Sequence, residues 1–470
     1  MKRRSFFKGA TLGFFGTSVF EPLMSQNRNG QREKFNGKKA RNIIFMVSDG
    51  MSTGTLNMAS LMLQRKEGRQ SEWIKLYEPN VGTRALMDTA SANSLVTDSA
   101  AGSSSWGGGF RVNNGALNVS VDGTSHKPIL QKFKDAGKSV GCVTTVPITH
   151  ATPAGFCISN KSRSDQGEIA LQYLPLKFDV MMGGGSEFFS ADKRKDKRDV
   201  FQDFIANGYT VIKNRDEMMA LPAASGKPVL GVFHEDGLPY ALDRANDAHL
   251  QKEIPSLAEM TNQAISILNL NTKGFVMQVE GGKVDWGAHS NDTGALIYDQ
   301  MAFDDAVKVA IDFAKKDGET LVIMTTDHGN ANPGLFYEDA TRNFDRIQHF
   351  KHTNDWILKG IDKNFSVQKV RERIEAAQGI PFKTEEAQVI LDCYKNLDGG
   401  GLYNPDKLPF KELANIQSNY TSVGWGSMEH SADYVELAMY GPGSELLKPF
   451  VKNTDLHYLM LESTGIIREA

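Results

Sequence analysis

Short apolar runs rich in β-branched residues recur along the chain: NIIFMVS (42–48), SVGCVTTV (139–146), FDVMM (178–182), GFVMQV (274–279) and TLVIMTT (320–326). Runs of this length without polar alternation predict strands buried on both faces. Between them, apolar positions spaced by three and four predict amphipathic helices over 53–66, 128–136, 199–206, 255–268 and 295–315. The 255–268 stretch places Pro255 at a helix start. Strands alternating with helices predict an α/β fold, a central largely parallel sheet flanked by helices. Two further helix-like stretches, 366–378 and 384–396, precede a DGGG break at 398–401 and predict an inserted helical subdomain at about 340–420 within a folded domain of 42–470.

Polar residues collect just after the predicted strands. Asp49 follows the first, Glu280 follows GFVMQV, Asp327 and His328 follow TLVIMTT, and His150 and Thr152 come soon after SVGCVTTV. One acid after a strand is ordinarily a helix cap. Four strands ending this way predict a shared ligand, because open α/β sheets bind ligands beyond the carboxyl ends of their strands. Asp285 and His289 in VEGGKVDWGAH are spaced i, i+4, on one face of a helical turn, and suit a zinc-like ion. His430 stands in a Gly/Ser-flanked turn before another apolar strand. The stretch LVTDSAAGSSSWGGG (95–109) puts Ser99 behind Asp98 and ahead of small residues that let other groups approach closely.

The chain of 470 residues has a formal net charge of -3, unevenly spread. Residues 1–41 carry ten Lys/Arg and two Asp/Glu, leaving 43 against 54 in the remainder. An acidic body excludes a nucleic-acid backbone as the expected partner and fits carboxylates that hold divalent cations. The start, MKRRSFFKGATLGFFGTSVF, is similar to a twin-arginine export signal (1–24), followed by a basic linker (25–41), and predicts export to the periplasm. No downstream run is apolar enough to predict a transmembrane span. Three cysteines, Cys142, Cys157 and Cys393, offer no disulfide framework; Cys142 and Cys157 can meet, with buried free thiols the expectation.

SDGM, VTDSAAG, ATPAG, VEGGKVDWGAH, TTDHGN and MEHSADYVELAMYGPG occur in the order found in the alkaline phosphatase family, and the chain from 49 to 443 resembles that family. The resemblance implies a phosphate monoester hydrolase that works through a phosphoserine at Ser99 and takes small phosphomonoesters. It implies two zinc ions and one magnesium ion. Asp49, Asp327 and His328 resemble the ligands of the zinc that faces Ser99; Asp285, His289 and His430 resemble those of the other zinc. Asp49, Thr152 and Glu280 resemble the magnesium site. Arg163 falls where the family binds phosphate, with Lys161 nearby in SNKSRSDQ as its rival. His150 and Trp286 depart from the Asp and Lys of the best-known bacterial members, placing both beside the substrate and the third metal. Histidine favours zinc or cobalt over a hard ion there. A homodimer is left open. The competing readings are a phosphodiesterase or phosphomutase of the same superfamily, and a non-catalytic exported protein that binds phosphate or metal.

Overall fold

A computed structural model describes Phe35 and residues 37–222, 226–336, 339–397 and 404–466 of the chain. The export signal read at 1–24 and most of the basic linker lie outside the described residues.

The first strands are β1 (Asn42–Val47), β2 (Thr83–Asp88), β3 (Ser139–Pro147), β4 (Val180–Gly184), β5 (Thr210–Ile212), β6 (Val229–Val232), β7 (Phe275–Glu280) and β8 (Thr320–Thr325). The short β9 (Gly329–Asn330), β10 (Gly334–Leu335), β11 (Val423–Gly424) and β12 (His430–Ser431) come next, and β13 (Val435–Tyr440) and β14 (Phe450–Lys452) follow. Among the described residues ten strands form one sheet in the order β14-β2-β13-β8-β1-β7-β3-β4-β6-β5. Only β13 runs against its neighbours. Side chains of β1 show why its run is unbroken: Ile44 and Met46 enter the apolar layer on one face, and Ile43, Phe45 and Val47 the layer on the other.

The predicted strands are present, with FDVMM shifted forward into β4, and the predicted helices appear as Thr53–Glu67, Ile129–Asp135, Val200–Ala206, Leu257–Leu268 and Thr293–Asp317. One start differs. Pro255 lies outside its helix, because the Ser256 side chain accepts from Glu259 N and the Glu259 carboxylate accepts from Ser256 N, a capping box that starts the helix two residues later, at Leu257. The strand β2 went unread because it is half exposed, with Arg84 and Leu86 facing outward.

The candidate ligands follow from strand order. The adjacent strands β8, β1, β7 and β3 end beside Asp327, Asp49, Glu280 and His150, so sequence-distant residues become neighbours along one sheet edge. Between β10 and β11 the described chain includes the helices Ala340–Asp345, Asn354–Lys359, Val367–Gln378, Thr384–Cys393 and Phe410–Thr421. A buried amide network joins three of them: Asn354 and Gln417 exchange hydrogen bonds at 2.8 Å, and Gln378 Nε2 donates to Asn354 Oδ1 at 2.9 Å. Asp292, beyond the Lys283–His289 helix, accepts from Asp355 N and ties this unit to the sheet edge. The sulfurs of Cys142 and Cys157 lie 3.5 Å apart as buried free thiols. No described helix is long and apolar enough to cross a membrane.

Candidate active site

Ser99 opens the helix Ser99–Gly108 and is fully buried. Asp98 caps that helix: its Oδ1 accepts from Ala101 N at 3.0 Å, leaving Oδ2 to accept from Gly115 N and from Arg163 Nη1, both at 3.0 Å. One carboxylate therefore sets both the serine and the guanidinium. The small residues of 95–109 serve packing: a Cβ on Gly107 would stand 2.0 Å from the Gly155 carbonyl oxygen of the helix Ala151–Cys157. A helix N-terminus carries partial positive charge, so an anion is favoured at Ser99. Lys161 is exposed, whereas Arg163 reaches inward, its Nη2 3.0 Å from His150 Nε2.

Ser99 Oγ lies 3.3 Å from His328 Nε2. That nitrogen also lies 3.2 Å from Asp327 Oδ2 and 3.5 Å from Asp49 Oδ1, while Nδ1 faces the Gly329 carbonyl. A second group forms where His289 Nε2 and His430 Nε2 stand 3.0 Å apart, beside the Asp285 carboxylate at 3.5 and 3.6 Å. The Nδ1 atoms of these rings face the carbonyls of Met428 and Thr97, which place their protons on Nδ1 and aim two lone pairs at each other. Gly50, at φ 65°, permits this crowding: a Cβ there would lie 2.4 Å from Asp285 Oδ1. In a third group, ligand atoms of Asp49, His150 and Glu280 lie within 4.8 Å of one another, and Thr152 Oγ1 donates to Asp49 Oδ2 at 3.0 Å.

These groups fit divalent cations. Asp49 Oδ1, His150 Nδ1, Glu280 Oε1, Asp285 Oδ2 and Asp327 Oδ2 are buried with no hydrogen-bond partner, and such atoms are costly unless an ion takes them. Burial raises Asp49 well above the carboxylate range, with Asp327 and Asp285 adding to it, and burial pushes Glu280 up to about 8 and Asp327 to about 6. Burial likewise holds His150 down at about 3, with Arg163 adding to it, so its ring is neutral and its lone pair available.

Of the residues singled out in the sequence Lys161 stays outside and the others meet here; Trp286 joins through an edge contact with His150, ring centroids 6.2 Å apart. The sequence reading missed three kinds of support. Asn330 Nδ2 donates to Asp285 Oδ1 at 2.7 Å, a residue visible in TTDHGN but assigned nothing. Thr144 Oγ1 donates to Glu280 Oε2. The carbonyls of Thr97 and Met428 carry no sequence signal, since every residue has one.

A family model described as "Alkaline phosphatase" matches residues 40–466. Alkaline phosphatase 4 of Bacillus subtilis (strain 168) is 31% identical over 442 residues, covering 92% of this chain and 90% of its own. The Thermus thermophilus alkaline phosphatase structure aligns with a TM-score of 0.84 at 30% identity, over 95% of this chain and 96% of that one. A TAB5 alkaline phosphatase with a histidine-to-aspartate mutation and Mg bound in its M3 site aligns at 25% identity and a TM-score of 0.66, over 92% of this chain and 99% of that one.

Proposed function

Because this chain belongs to the alkaline phosphatase family and is a phosphate monoester hydrolase, we propose that it works through a transient phosphoserine at Ser99. The observation that carries this reading is the buried Ser99 hydroxyl between the Arg163 anchor and three clusters of buried, unpartnered ligand atoms. Zinc is assigned to Asp49, Asp327 and His328 and to Asp285, His289 and His430, and a third divalent ion to Asp49, Thr152 and Glu280. Bound there, the ions supply charge neutralisation and Lewis acidity for the serine and the departing oxygen.

The chain's own groups do the rest. Ser99 Oγ gives its proton to solvent and forms a bond to phosphorus as the bond to the leaving oxygen breaks, and the alkoxide takes a proton back from solvent and departs as the alcohol. Water then attacks the phosphoserine, releasing inorganic phosphate and restoring the hydroxyl. Asp98 orients the Arg163 guanidinium, whose planar fork matches equatorial phosphate oxygens. Hydrolysis of p-nitrophenyl phosphate compared with bis-p-nitrophenyl phosphate tests the reading. A strong preference for the monoester is expected; a preferred diester assigns a phosphodiesterase, and hydrolysis of neither leaves a binding protein.

His150 stands in the third group as well as beside the phosphate anchor, and because a neutral imidazole has one lone pair we assign that lone pair to the metal site. Its nitrogen suits zinc or cobalt better than magnesium. His150→Asp is expected to tighten magnesium binding about tenfold. Trp286→Lys, which adds a cation near the phosphate, is expected to strengthen phosphate inhibition roughly threefold. Magnesium titration of chelated protein and phosphate inhibition constants check the pair; no change in either removes the corresponding role.

A further inference from the structure

Ser52 stands at the N-cap of the helix Thr53–Glu67 with ordinary cap backbone, φ -73° and ψ 158°, yet its side chain caps nothing. The other serines at helix N-caps among the described residues, Ser71, Ser256 and Ser366, each accept from the amide three residues on. At Ser52 that amide, Thr55 N, bonds to the Ser52 carbonyl at 2.9 Å. The helix start is satisfied by backbone, and the hydroxyl is released for another use.

That use lies at the metal-ligand loops. Ser52 is buried, and its Oγ accepts from Asn330 N at 3.0 Å. Its own proton has two acceptors, Asn332 Oδ1 at 2.8 Å and the Asn330 carbonyl at 3.1 Å. Gly329 leaves room for this: a Cβ there would stand 3.0 Å from Ser52 Oγ and 2.6 Å from Ser431 Oγ. Ser52 lies three residues after Asp49, and Asn330 two after His328, so one hydroxyl joins two ligand-bearing loops.

Asn330 in turn faces the second ligand group. Its Nδ2 donates to Asp285 Oδ1 at 2.7 Å, and in the pairing of β12 with β9 it is the register partner of His430. Asp285 Oδ2 has no hydrogen-bond partner, so the Asn330 amide fixes one carboxylate oxygen and leaves the other for an ion. We propose that Ser52 is a positioning residue for the Asp285, His289 and His430 group. It holds Asn330 where its amide orients Asp285, and so ties that group to the loop of Asp49. The proposal rests on the zinc assignment above.

Zinc binding to chelated protein is titrated against a competing chelator, with kcat read alongside, for Ser52→Ala, Asn330→Ala and the double variant. Each single variant is expected to raise the zinc concentration at half-loading about tenfold. Because Ser52 acts through Asn330, the double variant is expected to stay within about twofold of Asn330→Ala, whereas independent effects multiply to roughly a hundredfold. Zinc sufficient to reload the sites is expected to return Ser52→Ala turnover to within about threefold of the parent. Ser256→Ala removes a serine that does cap its helix and calibrates a purely structural loss. It is expected to lower the melting temperature of the chelated protein without moving zinc half-loading. Unchanged half-loading in Ser52→Ala, a multiplied loss in the double variant, or an equal shift in Ser256→Ala overturns the proposal. A Ser52→Ala protein that does not fold while Ser256→Ala does overturns it as well, by assigning the hydroxyl to the fold. A parent that binds no zinc, or turns over equally without it, refutes the zinc assignment itself.

Discussion

Ser99→Ala is expected to lower kcat by at least about a thousandfold and to abolish phosphate incorporation into acid-quenched protein. A thousandfold is about 4 kcal/mol of transition-state stabilisation. The loss falls on chemistry because the hydroxyl has little structural work. Its Oγ contacts His328 Nε2, a candidate metal ligand, while the cap of its helix comes from the neighbouring Asp98. The variant should therefore melt within about 1 kcal/mol of the parent. Rapid acid quenching followed by peptide mass spectrometry locates the phosphate, and steady-state kinetics supplies kcat. Phosphate found on another residue, or undiminished turnover in the alanine variant, would falsify the assignment. A small residual rate from water attack would not, since the cation groups and Arg163 remain.

Much of this arrangement could be read from the chain, and the reasons differ by residue. The run NIIFMVS announced a strand because both faces of β1 are buried, so no polar alternation interrupts it. Asp49 and Asp327 stood out because they follow such runs directly. His430 was harder: it lies over a hundred residues beyond His328, and the antiparallel pairing of β12 with β9 brings it back to the site. That pairing is two residues long and leaves no hydrophobic pattern, so only the MEHSADY motif marked it. Asp98 illustrates a different limit. Its place before Ser99 was plain, but its hold on Arg163, 65 residues away, depends on how two loops meet. Ser52 was hidden for a third reason. A serine before a helix ordinarily reads as its cap, and the turn of this hydroxyl toward Asn330 is a tertiary fact.

Chelation is expected to remove all measurable activity and to make the protein less stable at alkaline pH than at neutral pH. Asp49, Glu280, Asp285 and Asp327 are each 0% exposed, and Arg163 is the cation that reaches this cluster. Without divalent ions their charge must be neutralised by protons or left uncompensated. The sign follows from Glu280, which burial pushes up to about 8 in the fold, well above the ordinary range of a glutamate. A raised carboxyl binds a proton in the native state that the unfolded state has released. Its stabilising share is complete below the unfolded pKa and is lost as pH rises through about 8. His150 and His328 have lowered values and act in the opposite direction, but their unfolded states have already lost their protons above neutrality. Between about pH 7 and 9 the carboxyl therefore governs the slope, and the chelated protein should lose on the order of 1 kcal/mol of stability. Zinc binding the native ligands should raise the melting temperature, restore activity and flatten this dependence, because the ion replaces the proton. Thermal melts of chelated and zinc-loaded protein at both pH values decide it. A chelated protein that is equally stable at both, or that retains turnover, would remove the cations from the assignment and leave the carboxylates without an explanation.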